Sequence, residues 1–281
     1  GALTGDPSKD VGLYQVVGTR VLFLAAGGGA LFTVPLDGSG PAVQLHGAVQ
    51  SFQVLPDGSA AVLVHGSSPV EVEVVAVDGS GPGVPLLTLL PGALGAFAVT
   101  PDSQRLVYVE SDTPNALWHL RSMLLDGSAA PVELDTLVTQ IPEVFLSADS
   151  SRVVYRNRTS DHLFSAPLDG SAAAVQLDLP GATGGVTRVK LSADSTHVVY
   201  TVLSGRLFSV VSDGSAPPTL LDVPTSASTV LDFQLTPDSA RVVFLADEPT
   251  DSQVELYEVP IAGGAPTNLS GPLPVGGDVA R

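Results

Sequence analysis

The fold is decided by the stretch Leu-Thr-Pro-Asp-Ser-Ala-Arg-Val-Val-Phe, residues 235–244. It joins a turn, Pro237-Asp238-Ser239, to an apolar run that begins at Val242. Asp and Ser side chains bond nearby backbone groups and suit tight turns, and consecutive β-branched and aromatic residues favour a strand. Because this strand is apolar on consecutive rather than alternating residues, we expect it to be covered on both faces of its sheet.

The same turn and strand recur along the chain. Equivalent turns lie at 56–58, 101–103, 148–150 and 193–195, and each is followed by a valine-rich run. A second signature, Asp-Gly-Ser, begins at Asp37, Asp78, Asp126, Asp169 and Asp213, with Ala262-Gly263-Gly264 in the sixth place. Its copies are 41, 48, 43, 44 and 49 residues apart, a period typical of propeller blades. The first copy has Gly18-Thr19-Arg20 in place of the turn, so we count six copies.

Each copy has room for four short strands. In the fifth copy we expect them at 188–191, 197–202, 206–211 and 219–222. Four strands per repeat, buried on both faces, predict an all-β fold: a six-bladed β-propeller with four antiparallel strands per blade. A twisted stack of open sheets is the alternative, and radial closure is preferred because it leaves only short, protected edges.

We expect a single domain, with the first repeat beginning near residue 11. The predicted repeats are approximately 11–45, 46–90, 91–137, 138–180, 181–225 and 226–270. Residues 271–281 would form a tail that lies over the seam or frays. Alternatively the chain was cut from a longer protein in which another repeat or domain begins there.

The repeat resembles a known family. Residues 235–244, followed by Leu256-Tyr257-Glu258-Val259-Pro260, are similar to the WD-like repeat of the TolB family, and the resemblance covers roughly residues 11–270. Similar repeats build the non-catalytic propeller of prolyl oligopeptidase relatives. The resemblance implies a six-bladed propeller with a central channel, often used to bind proteins or peptides. It also points to a bacterial periplasmic or secreted protein.

Composition excludes several classes of function. A net charge of −17 argues against binding to nucleic acid or an anionic membrane surface. No apolar run reaches the roughly 18 residues of a membrane-spanning helix, so we expect no membrane insertion. The absence of cysteine excludes disulfides, thiolate metal sites and cysteine nucleophiles. The 44% of apolar residues can form a core, and we expect a monomer.

The sequence carries no recognisable catalytic motif. The chain lacks a Gly-x-Ser-x-Gly nucleophile elbow, and its serines lie mostly in turns. The Asp-Gly-Ser turns occupy the same place in every blade, so they cannot converge on one ion. The histidines have packing or surface roles in this interpretation, because they fall at non-equivalent repeat positions: His46, His65, His119, His162 and His197. We therefore predict no catalytic residue, no cofactor and no metal ligand.

When the repeats are aligned on their turns, one cluster of polar residues is not repeated from blade to blade. It would lie at the channel mouth and comprises Glu143, Arg188, Lys190, Asp232, Gln53 and Gln234. A cation between two carboxylates could orient a ligand or receive a charged peptide terminus. The alternative is that Arg188 only bridges two blades, as structural ion networks do. Trp118, the one tryptophan, is either an interface anchor or a packing residue.

These observations favour a non-enzymatic protein- or peptide-binding module or scaffold. A partner with a basic patch would suit the acidic surface. Two alternatives stay open at this point. One is a calcium-dependent, lactonase-like hydrolase with its site at the channel mouth, and the other is a structural repeat segment of a larger protein.

Overall fold

The computed structural model describes residues 11–25, 29–90, 94–111, 117–137, 143–157, 160–179, 185–222, 229–248, 253–271 and 278–279. Every regular element in these ranges is a β-strand, so none of them holds a helix that could span a membrane. The strands form six antiparallel sheets of four. The predicted all-β, six-bladed β-propeller is thereby confirmed.

The chain divides into two compact units, residues 1–136 and 137–281. The first unit contains blades 1, 2 and 3. Blade 1 consists of β1 (Val11–Val17), β2 (Arg20–Ala25), β3 (Leu31–Pro35) and β4 (Val43–His46). Blade 2 consists of β5 (Val49–Val54), β6 (Ala60–His65), β7 (Val70–Ala76) and β8 (Val84–Leu89). Blade 3 consists of β9 (Leu94–Val99), β10 (Arg105–Ser111), β11 (Trp118–Leu124) and β12 (Val132–Leu137).

The second unit contains blades 4, 5 and 6. Blade 4 consists of β13 (Val144–Leu146), β14 (Arg152–Asn157), β15 (His162–Pro167) and β16 (Val175–Gln176). Blade 5 consists of β17 (Val186–Leu191), β18 (His197–Val202), β19 (Leu207–Val211) and β20 (Thr219–Leu220). Blade 6 consists of β21 (Thr229–Leu235), β22 (Arg241–Glu248), β23 (Gln253–Pro260) and β24 (Thr267–Asn268).

Serine hydroxyls in the turns between first and second strands connect neighbouring blades. Ser195 has the left-handed φ of 65° that the turn requires, and its Oγ accepts the backbone N–H of Asp149 at 3.0 Å. In the same unit Ser239 Oγ accepts the N–H of Asp194 at 3.0 Å. The repeated turn therefore closes its own hairpin and also holds the preceding blade in register.

A stacked aromatic pair joins the second and third strands of four blades. The ring centroids are 5.4–5.7 Å apart in the pairs Phe23–Phe32, Tyr155–Phe164, Tyr200–Phe208 and Phe244–Tyr257. Blades 2 and 3 depart from this pattern, because Leu63 faces Glu73 and Tyr108 faces Arg121 at the same place. A charged group thus enters the layer between blades at two positions of the first unit.

Residues 278–279 bond to the third strand, β23, of blade 6. Val279 N–H donates to the carbonyl of Val254 at 2.9 Å, and Val254 N–H donates to Asp278 Oδ1 at 3.0 Å. The rest of the predicted tail beyond Gly271 lies outside the described residues. The single-domain organisation and the two hypotheses for the tail stay predictions.

Replacing Ser195 tests the connection between blades 4 and 5. Ser195→Ala removes the acceptor for Asp149 N–H and should lower the free energy of unfolding by about 0.5–1.5 kcal/mol, the usual net contribution of one hydrogen bond. Ser195→Gly loses the same bond but suits the positive φ, so it should be about 1 kcal/mol more stable than the alanine variant. Urea unfolding measures both. Equal stability of all three proteins would show that the bond contributes nothing.

Asp57→Asn tests the turn carboxylates. Ser59 donates to Asp57 from its backbone N–H at 2.9 Å and its hydroxyl at 2.8 Å, and these bonds hold the pKa of Asp57 below its ordinary 3.8. A carboxylate with a lowered folded-state pKa stabilises the fold above its unfolded pKa and loses this effect as the pH falls through the folded value. Wild type should therefore exceed Asp57→Asn in stability by a constant amount above about pH 5, and by less below pH 3.8. A difference unchanged at pH 3 would contradict this account of the turn.

Candidate metal centre

The two cations predicted at the channel mouth bond to the neighbouring blade. Arg188 on β17 donates to the carbonyl of Leu231 at 2.6 Å and to Asp232 Oδ1 at 2.9 Å. Lys190 donates to the carbonyl of Phe233 at 2.8 Å, and its ammonium lies 5.4 Å from the centre of the Phe233 ring. Both side chains thus satisfy backbone acceptors of β21. This geometry joins blades 5 and 6, and it leaves the proposed ligand role a prediction.

The other predicted binding residues are divided between the two units. Gln234 shares with Arg188 and Asp232 the lining of a cavity of about 720 Å³ in the second unit. Glu143 is exposed, whereas Gln53 and Trp118 are half-buried in the first and third strands of their own blades. Residues 112–116, in the loop that precedes Trp118, lie outside the described residues. Binding roles for these residues stay predictions.

Three side chains that the sequence analysis did not group meet between blades 1 and 2. His46 ends the outer strand β4 of blade 1, His65 ends β6, and Glu73 lies in the middle of β7. One ring nitrogen of each histidine and a carboxylate oxygen of Glu73 all lie within 4.8 Å of one another. Among the described residues this is the group with the composition and spacing of a metal site.

The distances centre on Glu73. Its Oε1 is 3.7 Å from His46 Nε2 and 3.8 Å from His65 Nε2, and the two imidazole ring centres are 4.1 Å apart. Ligands of a tetrahedral zinc ion lie about 3.3 Å apart when the bonds are 2.0–2.1 Å long. Small side-chain rotations would therefore bring the three donor atoms to bonding distance of one ion.

The buried position of these three polar side chains costs free energy unless a further group binds them. The side chains of His46, His65 and Glu73 are 29%, 11% and 17% exposed. Within the part of the chain that the structure describes, His46 Nδ1 and His65 Nε2 are buried and lack a hydrogen-bond partner. Because unpaired buried polar atoms cost free energy, a group that bound His65 Nε2 would stabilise this layer.

The repeat shows where these residues lie in their blades and how the sequence could have pointed to one of them. Glu73 replaces the aromatic residue of four other blades. His65 occupies a position that is apolar in blades 1, 5 and 6 but is Glu110 in blade 3 and Asn157 in blade 4. The available signal was therefore Glu73 alone, a charged residue in a mostly aromatic column. His46 gives none, because its position is also polar in blades 4 and 5, where it is Asp178 and Asp222.

The donor set indicates which metals would fit. Two imidazole nitrogens and one carboxylate oxygen suit zinc and neighbouring transition metals, whereas calcium prefers six to eight oxygen ligands. Catalytic zinc sites commonly have three protein ligands, including two His and one Glu, and keep a further position open for water or substrate. The group between blades 1 and 2 therefore fits an ion of the zinc type better than calcium.

Comparison with known proteins shows the fold. No protein family and no curated protein matches this sequence. An oligogalacturonate lyase in complex with manganese matches with a TM-score of 0.52 and 14% identity, over 90% of this chain and 74% of that chain. An oligogalacturonate lyase from Vibrio parahaemolyticus gives 0.54 and 14%, over 95% and 80%. A prolyl endopeptidase gives 0.56 and 12%, over 94% of this chain and 42% of that one.

These similar structures correct two predictions. The prediction of a non-enzymatic binding module or scaffold is wrong, and so is the prediction that the chain is not an enzyme. The finding that overturns both is that proteins sharing this propeller fold include two lyases, one of them with manganese, and an endopeptidase. The alternative hypothesis of a metal-dependent enzyme agrees better with these structures.

Gly83→Ala, with Gly81→Ala as its control, tests the metal centre without removing a ligand. A Cβ on Gly83 would lie 2.6 Å from Glu73 Oε2, so the carboxylate must move, whereas a Cβ on Gly81 meets nothing within 4 Å. We expect Gly83→Ala to lower zinc affinity at least about tenfold and Gly81→Ala to leave it unchanged, as measured by competition with a chromophoric chelator. Equal affinities in both variants would place the metal away from Glu73.

Proposed function

We propose that this protein is a metal-dependent enzyme of the lactonase-like hydrolase class, with its metal held by His46, His65 and Glu73. The observation that carries the proposal is the meeting of three donor atoms within 4.8 Å of one another in a half-buried layer between two blades. Two imidazoles and one carboxylate leave coordination positions free, which catalysis requires and a purely structural zinc site does not.

Each residue has a distinct part in this proposal. Glu73 supplies negative charge and an oxygen ligand, and the two imidazoles supply neutral nitrogen ligands. A divalent ion bound there would lower the pKa of a coordinated water and polarise a substrate carbonyl. The blade strands fix the ligands, since His65 and Glu73 project from adjacent strands of one ladder. A site built on strands is held more rigidly than one built on loops.

The names of the similar structures suggest which substrates to test. Two of them are oligogalacturonate lyases, so oligogalacturonate belongs in the substrate panel beside lactones and esters. The TolB-like character of the repeats is part of the proposal as well. It rests on the motif of residues 235–244 and concerns the scaffold rather than the chemistry.

The test is metal-dependent turnover. Protein stripped with a chelator should be inactive on the panel, and zinc or manganese should restore activity. His65→Ala and Glu73→Gln should lower kcat/KM at least about 100-fold, because a metal contributes several kcal/mol to the transition state and each 1.36 kcal/mol is a factor of ten. Turnover that survives chelation would contradict the proposal.

His197→Ala serves as the control for loss of a histidine. Its ring nitrogen Nδ1 is 2.8 Å from Thr196 Oγ1 in the second unit, and it has no part in the proposed centre. This variant should keep the metal dependence and rate of the wild type. If it lost activity as His65→Ala does, the site would have to be sought elsewhere.

A further inference from the structure

The two ring nitrogens of His65 have different surroundings. Nδ1 lies 3.4 Å from Glu71 Oε2, whereas Nε2 is buried, lacks a hydrogen-bond partner in the described chain and points toward Glu73 at 3.8 Å. A neutral imidazole carries one N–H and one lone pair. A proton on Nδ1 would face a carboxylate, and the lone pair on Nε2 would then face the proposed metal position.

Glu71 is placed by the sheet itself. It is the cross-strand partner of His65 in the pairing of β6 with β7, so the side chains start from adjacent backbone positions. His65 is only 11% exposed, whereas Glu71 is 49% exposed. The carboxylate therefore reaches inward to the histidine from the solvent side, and Glu73, two residues along the same strand, lies on the other side of the ring.

We propose that Glu71 is a positioning residue, which holds His65 in the tautomer protonated at Nδ1 and so sets the metal affinity of the centre. This inference rests on the proposed function. Histidines that bind metals commonly donate their second ring N–H to a carboxylate, and this contact fixes the ring and raises its basicity. Loss of such a partner typically lowers metal affinity about 10- to 100-fold.

Two substitutions of Glu71 separate tautomer from charge. Glu71→Gln keeps an oxygen that can accept from Nδ1 but removes the negative charge, and Glu71→Leu removes both. Zinc affinity, measured on the full chain by chelator competition, should fall from wild type to the Gln variant and further to the Leu variant. The Leu variant should lie about 10- to 100-fold below wild type.

Glu255→Gln is the matched control. Glu255 faces Ala246 in blade 6 just as Glu71 faces His65 in blade 2, and its carboxylate bonds Asn268 at 2.8 Å. This substitution makes the same chemical change at the same position of the repeat, with no histidine opposite. Zinc affinity should equal that of the wild type.

Nitrogen-15 NMR of the metal-free protein supplies a readout that a merely structural role would not move. The wild type and Glu71→Gln should show His65 protonated at Nδ1, and Glu71→Leu should lose this preference. Equal zinc affinity in all Glu71 variants, or an unchanged tautomer in Glu71→Leu, overturns the role of Glu71 and leaves the proposed function standing. Failure of the wild type to bind zinc overturns both.

Discussion

Burial of the second strand of each four-stranded sheet is the constraint on which the structure depends. It explains why the second strands are apolar on consecutive residues, as in Val198-Val199-Tyr200, where all three are at most 1% exposed. A sheet with one face in water would alternate apolar and polar residues instead. Polar side chains between blades therefore need a hydrogen-bond or ion-pair partner, because an unpaired buried charge costs several kcal/mol.

Most of the polar side chains that interrupt the apolar packing pair with a residue of their own blade. In blade 3, Arg121 takes the aromatic position and pairs with Glu110, which is 6% exposed. In blade 5, Arg206 forms two bonds to the buried Asp222, and in blade 4, His162 lies 2.6 Å from the buried Asp178. Blade 2 differs, because the described ion-pair partners of Glu73 are two histidines, one of which comes from the neighbouring blade.

The fold could be predicted from the sequence because similar turn and strand residues recur in successive blades. The predicted strand at 197–202 in blade 5 is the observed β18, and the observed hairpins follow the Asp-Gly and Asp-Ser turns. The ends of strands were less predictable. Asp222 was expected to extend the outer strand, but its carboxylate instead bonds Arg206 and the N–H of Leu207, and β20 stops at Leu220.

The candidate metal centre was only partly accessible to the same reasoning. Glu73 interrupts a mostly aromatic column of the repeat, which a column-by-column comparison can detect, whereas the column of His65 also holds Glu110 and Asn157. His46 belongs to a different blade and to a polar column, and its approach to Glu73 depends on how two sheets stack. Sequence periodicity gives the number of sheets and their strand order. It does not give which side chains oppose each other across the layer between two blades.

The chemistry of the three groups favours an ion over a proton as what joins them. Each neutral imidazole carries one N–H, so both histidines could donate from Nε2 to Glu73 without an ion. The lone pair on His65 Nδ1 would then face the Glu71 carboxylate 3.4 Å away, which is repulsive. A divalent ion accepts all three lone pairs at once and neutralises the carboxylate. In the proposed function the same ion would keep a further coordination position for water or substrate, which hydrolytic chemistry requires.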